Sequence, residues 1–204
     1  GPLSSESRFG HYLHPLIAYT PRRLNLGTVW AKTWAREKID TKRTPEEKSK
    51  HLETVPIEEK ESFRWLEGQR QAKAVAEICA DTQCVLVGDS ETDIYEVFSE
   101  SRQTAHGRPL ELLIRGCQNR ATDLEGQPIL TQARASEVVH RMSIDVSARK
   151  AKTKIETRKR SKSRSARTAE VEVRVCQVNL RPPHRPDRKL PPITINVVLV
   201  EETS

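Results

Sequence analysis

An acidic residue at the end of a predicted strand is the feature of this sequence best suited to chemistry. The apolar run 84–88 is typical of a β-strand buried on both faces, and it ends at Asp89. In open α/β sheets, functional side chains gather beyond the carboxyl ends of strands. A carboxylate there can bind Mg²⁺ through its oxygens. The alternative is that Asp89 only caps the following helix, a role that Ser90 could also fill.

A strongly basic segment is the second candidate site. Residues 147–168 contain ten lysines and arginines and one acid, a formal charge of +9, whereas the whole chain carries +7. Such a concentration of charge indicates electrostatic contact with a polyanion, and the alternative is a solvated loop without a partner. The ten basic residues are Arg149, Lys150, Lys152, Lys154, Arg158, Lys159, Arg160, Lys162, Arg164 and Arg167.

The elements around Asp89 follow an α/β order. Apolar residues at 11–20 and 24–36, separated by a turn after a proline, predict a β-hairpin. A helix is predicted from Pro56, which suits a first helical position, to about Ala80. The strand 84–88 then leads through a short helix to another predicted strand at 110–115.

The second part of the chain has a different pattern. Residues 137–146, 169–179 and 193–202 alternate apolar and polar side chains, as half-buried strands do. The basic segment and a proline-rich run separate these strands. We therefore predict an α/β part at 1–118 and an antiparallel β subdomain at 119–204, with the basic segment at 147–168.

Composition excludes several classes of protein. No run approaches the 18 or more apolar residues that would span a membrane, and no signal peptide is recognisable. The four cysteines form no C-x-x-C pair, which favours free thiols in a reducing cytoplasm over a zinc site or redox pair. The pair His11 and His14 is expected to serve strand packing, because side chains three apart on a strand point to opposite faces.

Three blocks, in order, resemble the DDE transposases of bacterial insertion sequences. They are GTVWAKTWAR at 27–36, EKESFRWL at 59–66 and VGDSETDIY at 87–95. The LIR at 113–115 and the terminal INVVLVEE at 195–202 are also similar to that family, so the resemblance covers nearly the whole chain. The matching subgroup carries a β-rich insertion between its second and third catalytic acids.

The resemblance implies a fold, an activity and a set of roles. The family has an RNase H-like core in which three acids bind two Mg²⁺ or Mn²⁺ ions for DNA cleavage and strand transfer. Asp89 would be the second acid, both catalytic and metal-binding. Arg115, Arg120 and the basic segment would contact double-stranded DNA at transposon ends. The resemblance also implies that the full-length protein is cytoplasmic and nucleoid-associated, forms a homodimer and has no membrane partner.

The sequence also departs from the family pattern. We expect a partial RNase H-like core, because no strand before 11–20 supplies the first acid and no helix after the insertion supplies the third. Glu201 and Glu202 end a predicted strand and are not accepted as substitutes. One acid of three cannot assemble a two-metal site, so this segment alone is expected to be inactive. Without the central first strand, its neighbours must pair with each other or depend on sequence outside the chain.

Two other interpretations stay open at this point. The same residues fit a non-catalytic DNA-binding or regulatory remnant of a mobile element. The GDSETD at 88–93 also resembles the late G-D-x-x-x-D motif of haloacid-dehalogenase-like phosphohydrolases. Those enzymes require an earlier strand ending in D-x-D-x-T or D-x-D-x-V to supply the nucleophile, and this sequence contains no such motif.

Overall fold

A computed structural model describes residues 10–35, 44, 46–47, 54–151 and 163–203. The chain divides into two compact units. The first contains the described residues up to Gln118 together with Pro182–Pro191, and the second contains Asn119–Arg181 with the described residues from Pro192 onward. Helices and strands occur together, in antiparallel and parallel sheets, which agrees with the predicted α/β class.

The first unit opens with the predicted β-hairpin. Strands β1 (Tyr12–Tyr19) and β2 (Asn25–Trp34) pair in antiparallel register. Burial alternates along β1, so that His14 and Leu16 belong to its half-buried face and Leu13 to its exposed face. The predicted hairpin is present, and this alternation is typical of a strand with one covered face.

The helix that follows begins later than predicted. Pro56 precedes only a 3-10 helix at Ile57–Glu59, and Lys60 then adopts an extended conformation that ends it. Helix α1 runs from Phe63 to Ile78. The predicted start of the helix at Pro56 is therefore wrong, because the backbone turns at Lys60 before the helical hydrogen bonds begin.

A parallel pair of strands completes the first unit. Strand β3 (Val85–Gly88) lies beside β4 (Glu111–Ile114), and between them come a 3-10 helix at Ser90–Thr92 and helix α2 (Tyr95–Ser99). Leu86 is buried, but Val87 is 68% exposed. The prediction of a strand buried on both faces is wrong for the described residues, because Leu86 packs with α1 and no described element covers the opposite face.

The two small sheets of this unit remain separate. Within the described residues, β1 pairs only with β2 and β3 only with β4. They nevertheless share a core, since Leu16 of β1 packs against the cluster formed by Ala76 of α1, Leu86 of β3 and Leu110. The neighbouring strands therefore do not pair with each other, and β1 and β3 each have one open edge.

The second unit is mainly antiparallel β-structure. Strands β5 (Val138–Val146), β6 (Arg167–Leu180) and β7 (Ile193–Glu202) form a sheet in the order β5-β6-β7, close to the predicted ranges. Helix α3 (Ile129–Ala135) precedes them and was not predicted. The segment Pro182–Pro191, which the sequence analysis grouped with this unit, belongs to the first unit.

Candidate functional site around Asp89

Asp89 lies immediately after the carboxyl end of β3. Its Oδ1 accepts the backbone N–H of Glu91 at 2.9 Å and so caps the 3-10 helix at Ser90–Thr92. The carboxylate as a whole remains exposed to solvent. Asp89, rather than Ser90, is thus the capping residue, and an exposed carboxylate that caps with one oxygen can still bind a ligand.

Arg115 lies at the same edge of the sheet as Asp89. It follows β4 directly, and its backbone N–H donates to the carbonyl of Gly88 at 3.0 Å. Because β3 and β4 are parallel, the residues that follow them emerge together. The Arg115 side chain is exposed and makes no hydrogen bond or ion pair with the described residues, so its guanidinium is open to a phosphate.

An arginine held between two indole rings connects α1 to the turn at Asp89. The guanidinium carbon of Arg64 lies 5.0 Å from the ring centroid of Trp34 and 5.5 Å from that of Trp65. Its Nη2 donates to Glu91 Oε2 at 2.6 Å. Only 11% of the Arg64 side chain is exposed, whereas 65% of the Glu91 side chain is, so the guanidinium is held by its packing and the ion pair itself faces solvent.

His14 extends the same cluster from β1. Its ring lies edge-on to Trp65 with centroids 4.2 Å apart, and 5.9 Å from the ring of Trp30. Its Nδ1 is buried and has no hydrogen-bond partner among the described residues. Burial lowers the pKa of His14 and the Arg64 charge lowers it further, against the opposing effect of nearby carboxylates. Such a histidine is part of the packed cluster, as expected.

This lowered pKa predicts a pH dependence of stability. A histidine whose pKa is lower in the folded protein than the usual value of about 6.5 binds its proton preferentially in the unfolded chain. Stability should therefore fall as the pH decreases below about 6.5. Urea unfolding from about pH 7.5 to about pH 5.5 should show this slope, and His14→Gln should flatten it.

His140 provides the control for that experiment. It is exposed on β5, so His140→Gln should leave the pH dependence of the parent protein in place. An unchanged slope in His14→Gln would show that His14 is not the titrating group. Hydrogen bonds from Arg188 are the main reason that the pKa values of Glu58 and Asp187 are lowered. These carboxylates therefore change the stability only at more acidic pH than His14 does.

The three sequence blocks meet in this cluster. Trp34 comes from the hairpin block, Arg64 from the block at the start of α1, and Glu91 from the block that contains Asp89. Their spacing in the sequence gives no sign of contact, because each pair is about thirty residues apart and belongs to different elements. The sequence singled out Asp89 and Arg115 as candidates but gave no indication of the Arg64–Glu91 pair.

The described residues do not by themselves form a two-metal site. They contain no group of three or more histidine, cysteine, aspartate or glutamate side chains arranged to bind a metal ion. Asp89 could supply one carboxylate. Glu201 and Glu202 lie on β7 in the second unit, where they pair with Arg134 and Arg167.

The basic segment is described only in part. Arg149 and Arg164 face each other in an antiparallel bridge, with both backbone N–H···O distances at 2.8 Å. Lys150 is exposed and Arg167 is paired with Glu202. The remaining members lie outside the described residues: Lys152, Lys154, Arg158, Lys159, Arg160 and Lys162. Arg120 belongs to the second unit, where its carbonyl accepts the N–H of Ile129 at 2.9 Å.

No protein-family model matches the chain, and comparison with curated proteins finds no match. In the portion of the chain that the structure describes, no helix is both long enough and apolar enough to cross a membrane. All four cysteines are free thiols.

Proposed function

We propose that this chain is part of a cut-and-paste DNA transposase. It would comprise a portion of an RNase H-like core that bears one metal-binding acid, Asp89, and a β-rich insertion that contacts double-stranded DNA at the transposon ends. The other two acids would come from sequence outside these 204 residues. The complete protein would use Mg²⁺ or Mn²⁺ for phosphodiester cleavage and strand transfer.

One observation carries this proposal. Asp89 and Arg115 emerge side by side from the carboxyl ends of two parallel strands, an acid for a metal and a cation for a phosphate. The other two blocks of the transposase resemblance contribute to the same turn. Arg64 of α1 packs on Trp34 of the hairpin and pairs with Glu91 in the turn. Two of the resembling blocks therefore support the local structure of the third.

The open edges of the first unit support the same proposal. An RNase H-like sheet has its first strand between the positions that β1 and β3 would occupy, and both of these edges are unpaired within the described residues. The exposed apolar side chains Leu13, Val87 and Leu113 occupy sheet faces that a further element would cover. Both features are expected if the complete core includes a strand and a helix from elsewhere in the protein.

The arginines at the base of the basic segment favour DNA as the partner. Arg149 and Arg164 are directly opposite in a bridge, and like charges in that position destabilise a strand pair. A polyanion bound there would neutralise this repulsion. Contacts between these arginines and backbone phosphates would contribute affinity without recognising the base sequence.

A salt titration of binding to duplex DNA tests the proposal. The logarithm of the binding constant should fall linearly with the logarithm of the salt concentration, with a slope of about −0.9 per phosphate contact. A variant with glutamine at the nine basic residues of the segment other than Arg167 should show a shallower slope. Arg167 is kept because it pairs with Glu202 and contributes to the sheet.

A matched control separates local contact from overall charge. Arg134 and Arg141 lie in the same unit but pair with Glu201 and Glu172, so the double variant Arg134→Gln/Arg141→Gln should bind with nearly the parent slope. If this control reduces the salt dependence of DNA binding as much as the nine-residue variant does, net charge rather than local contact explains the reduction. Absence of binding at low salt would remove DNA from the proposal.

A further inference from the structure

A buried carboxylate ties together the two segments that carry Asp89 and Arg115. Asp93 is 8% exposed, and its Oδ2 accepts the backbone N–H groups of Cys117 and Gln118, each at 2.7 Å. The thiol of Cys117 also donates to the carbonyl of Ser90 at 3.2 Å. The segment after β4 is thus attached to the turn after β3.

These contacts restrain a segment that would otherwise be free to move. Hydrogen bonds from backbone N–H groups to an ionised carboxylate are shorter and stronger than neutral ones. Arg115 is fixed at one end by its N–H bond to Gly88, and Cys117 and Gln118 are fixed at the other by Asp93. Between them, Gly116 has open space where a side chain would be. Without Asp93, the backbone N–H groups of Cys117 and Gln118 would lose their shared acceptor.

We infer that Asp93 is a positioning residue that holds Arg115 beside Asp89 for contact with a DNA phosphate. The inference rests on the proposed function, since it assumes that DNA binds at this edge of the sheet. Asp93 itself is turned toward backbone donors and buried, so its role differs from that of the exposed Asp89. Its effect on DNA must therefore be exerted through Arg115.

The test is a double-mutant comparison in the full chain. Arg115→Gln should reduce the salt slope of DNA binding by about 0.9, the loss of one phosphate contact. Asp93→Asn should give most of the same reduction, and the double variant should lose no more than Arg115→Gln alone. Asp81→Asn is the matched control, because it removes the same charge from an exposed position, and it should keep the parent slope.

A second measurement reports the restraint without DNA. Asp93→Asn should speed hydrogen exchange at the amides of Cys117 and Gln118 and increase the rate of alkylation at Cys117. If Asp93→Asn does not fold, Gln118→Pro removes one of the two N–H donors and leaves Asp93 intact. It should loosen the segment and reduce the salt slope in the same direction.

The possible failures are distinguishable. A parent chain that does not bind DNA would overturn the proposed function, and the exchange measurement would still report on the restraint. If the parent chain binds DNA and Arg115→Gln has a shallower salt slope, but Asp93→Asn keeps the parent slope, the inference about Asp93 is overturned. The proposed function is then unaffected. Additive losses from the two variants would also overturn it, because Asp93 would then act independently of Arg115.

Discussion

Replacing Arg185 with alanine is expected to lower the free energy of unfolding by about 3–5 kcal/mol. Arg185 Nε donates to Glu96 Oε1 at 2.6 Å, and the Glu96 side chain is only 4% exposed. The second carboxylate oxygen of Glu96 is buried without a hydrogen-bond partner among the described residues. Removing the guanidinium would leave this buried carboxylate without its hydrogen-bonded ion-pair partner, which costs far more than the loss of an exposed ion pair.

Arg188 provides a matched control for this prediction. It lies in the same segment and pairs with Glu58 at 2.6 Å, but both side chains are more than a third exposed. Arg188→Ala should therefore cost no more than about 1 kcal/mol. Urea unfolding of both variants measures the difference, and Arg185→Met/Glu96→Gln should recover much of the loss because no charge remains buried. Equal destabilisation by Arg185→Ala and Arg188→Ala would contradict the prediction.

Replacing Gly88 with alanine is expected to destabilise the turn at Asp89. A Cβ at this position would overlap Thr92 Oγ1 and lie 2.7 Å from Thr92 Cβ. Thr92 is fully buried and cannot move aside without disturbing its surroundings. The end of β3 must shift instead, at a cost of about 1–3 kcal/mol. Asp89 follows directly and should be displaced with it.

Thermal or urea unfolding of Gly88→Ala measures this cost. Gly116→Ala is the control, because a Cβ there meets nothing within 4 Å, and it should change stability by less than about 1 kcal/mol. The double variant Gly88→Ala/Thr92→Gly removes the atoms that clash and should recover part of the loss. Identical stability of Gly88→Ala and Gly116→Ala would show that the close contact with Thr92 does not destabilise the Gly88→Ala variant.

Apolar runs and alternating side chains in the sequence account for most of the strands and for the position of Asp89 at the end of β3. Alternating apolar and polar side chains predicted β5, β6 and β7. Burial alternates along the whole of β7, whereas most of β5 is exposed on both faces. The apolar run before Asp89 predicted β3 but overestimated its burial. A run of valine and leucine indicates a strand, whereas the exposure of Val85 and Val87 depends on which elements cover the sheet.

The contacts that organise the candidate site cannot be predicted from local sequence patterns. Arg64 reaches Glu91 because α1 passes beside the turn after β3, and Asp93 reaches Cys117 because β3 and β4 are neighbours. Neither pair belongs to one helix or one strand, so no local spacing encodes it. Helix α3 was missed for a related reason. It is only seven residues long, and its sequence lacks the repeated apolar stripe that identifies longer helices.

The segment Pro182–Pro191 has a consequence for how the chain acquires its structure during synthesis. It connects β6 to β7, yet it belongs to the first unit, where Pro191 accepts a hydrogen bond from Tyr95 at 2.8 Å and Arg185 pairs with Glu96. The first unit therefore cannot be completed on the ribosome until almost the entire second unit has been translated. Cleavage at the junction near residue 118 would also leave part of the first unit on the other fragment. The two units are interleaved in the chain. The last segment of the first unit is translated after β6, and β7 of the second unit is translated after that segment.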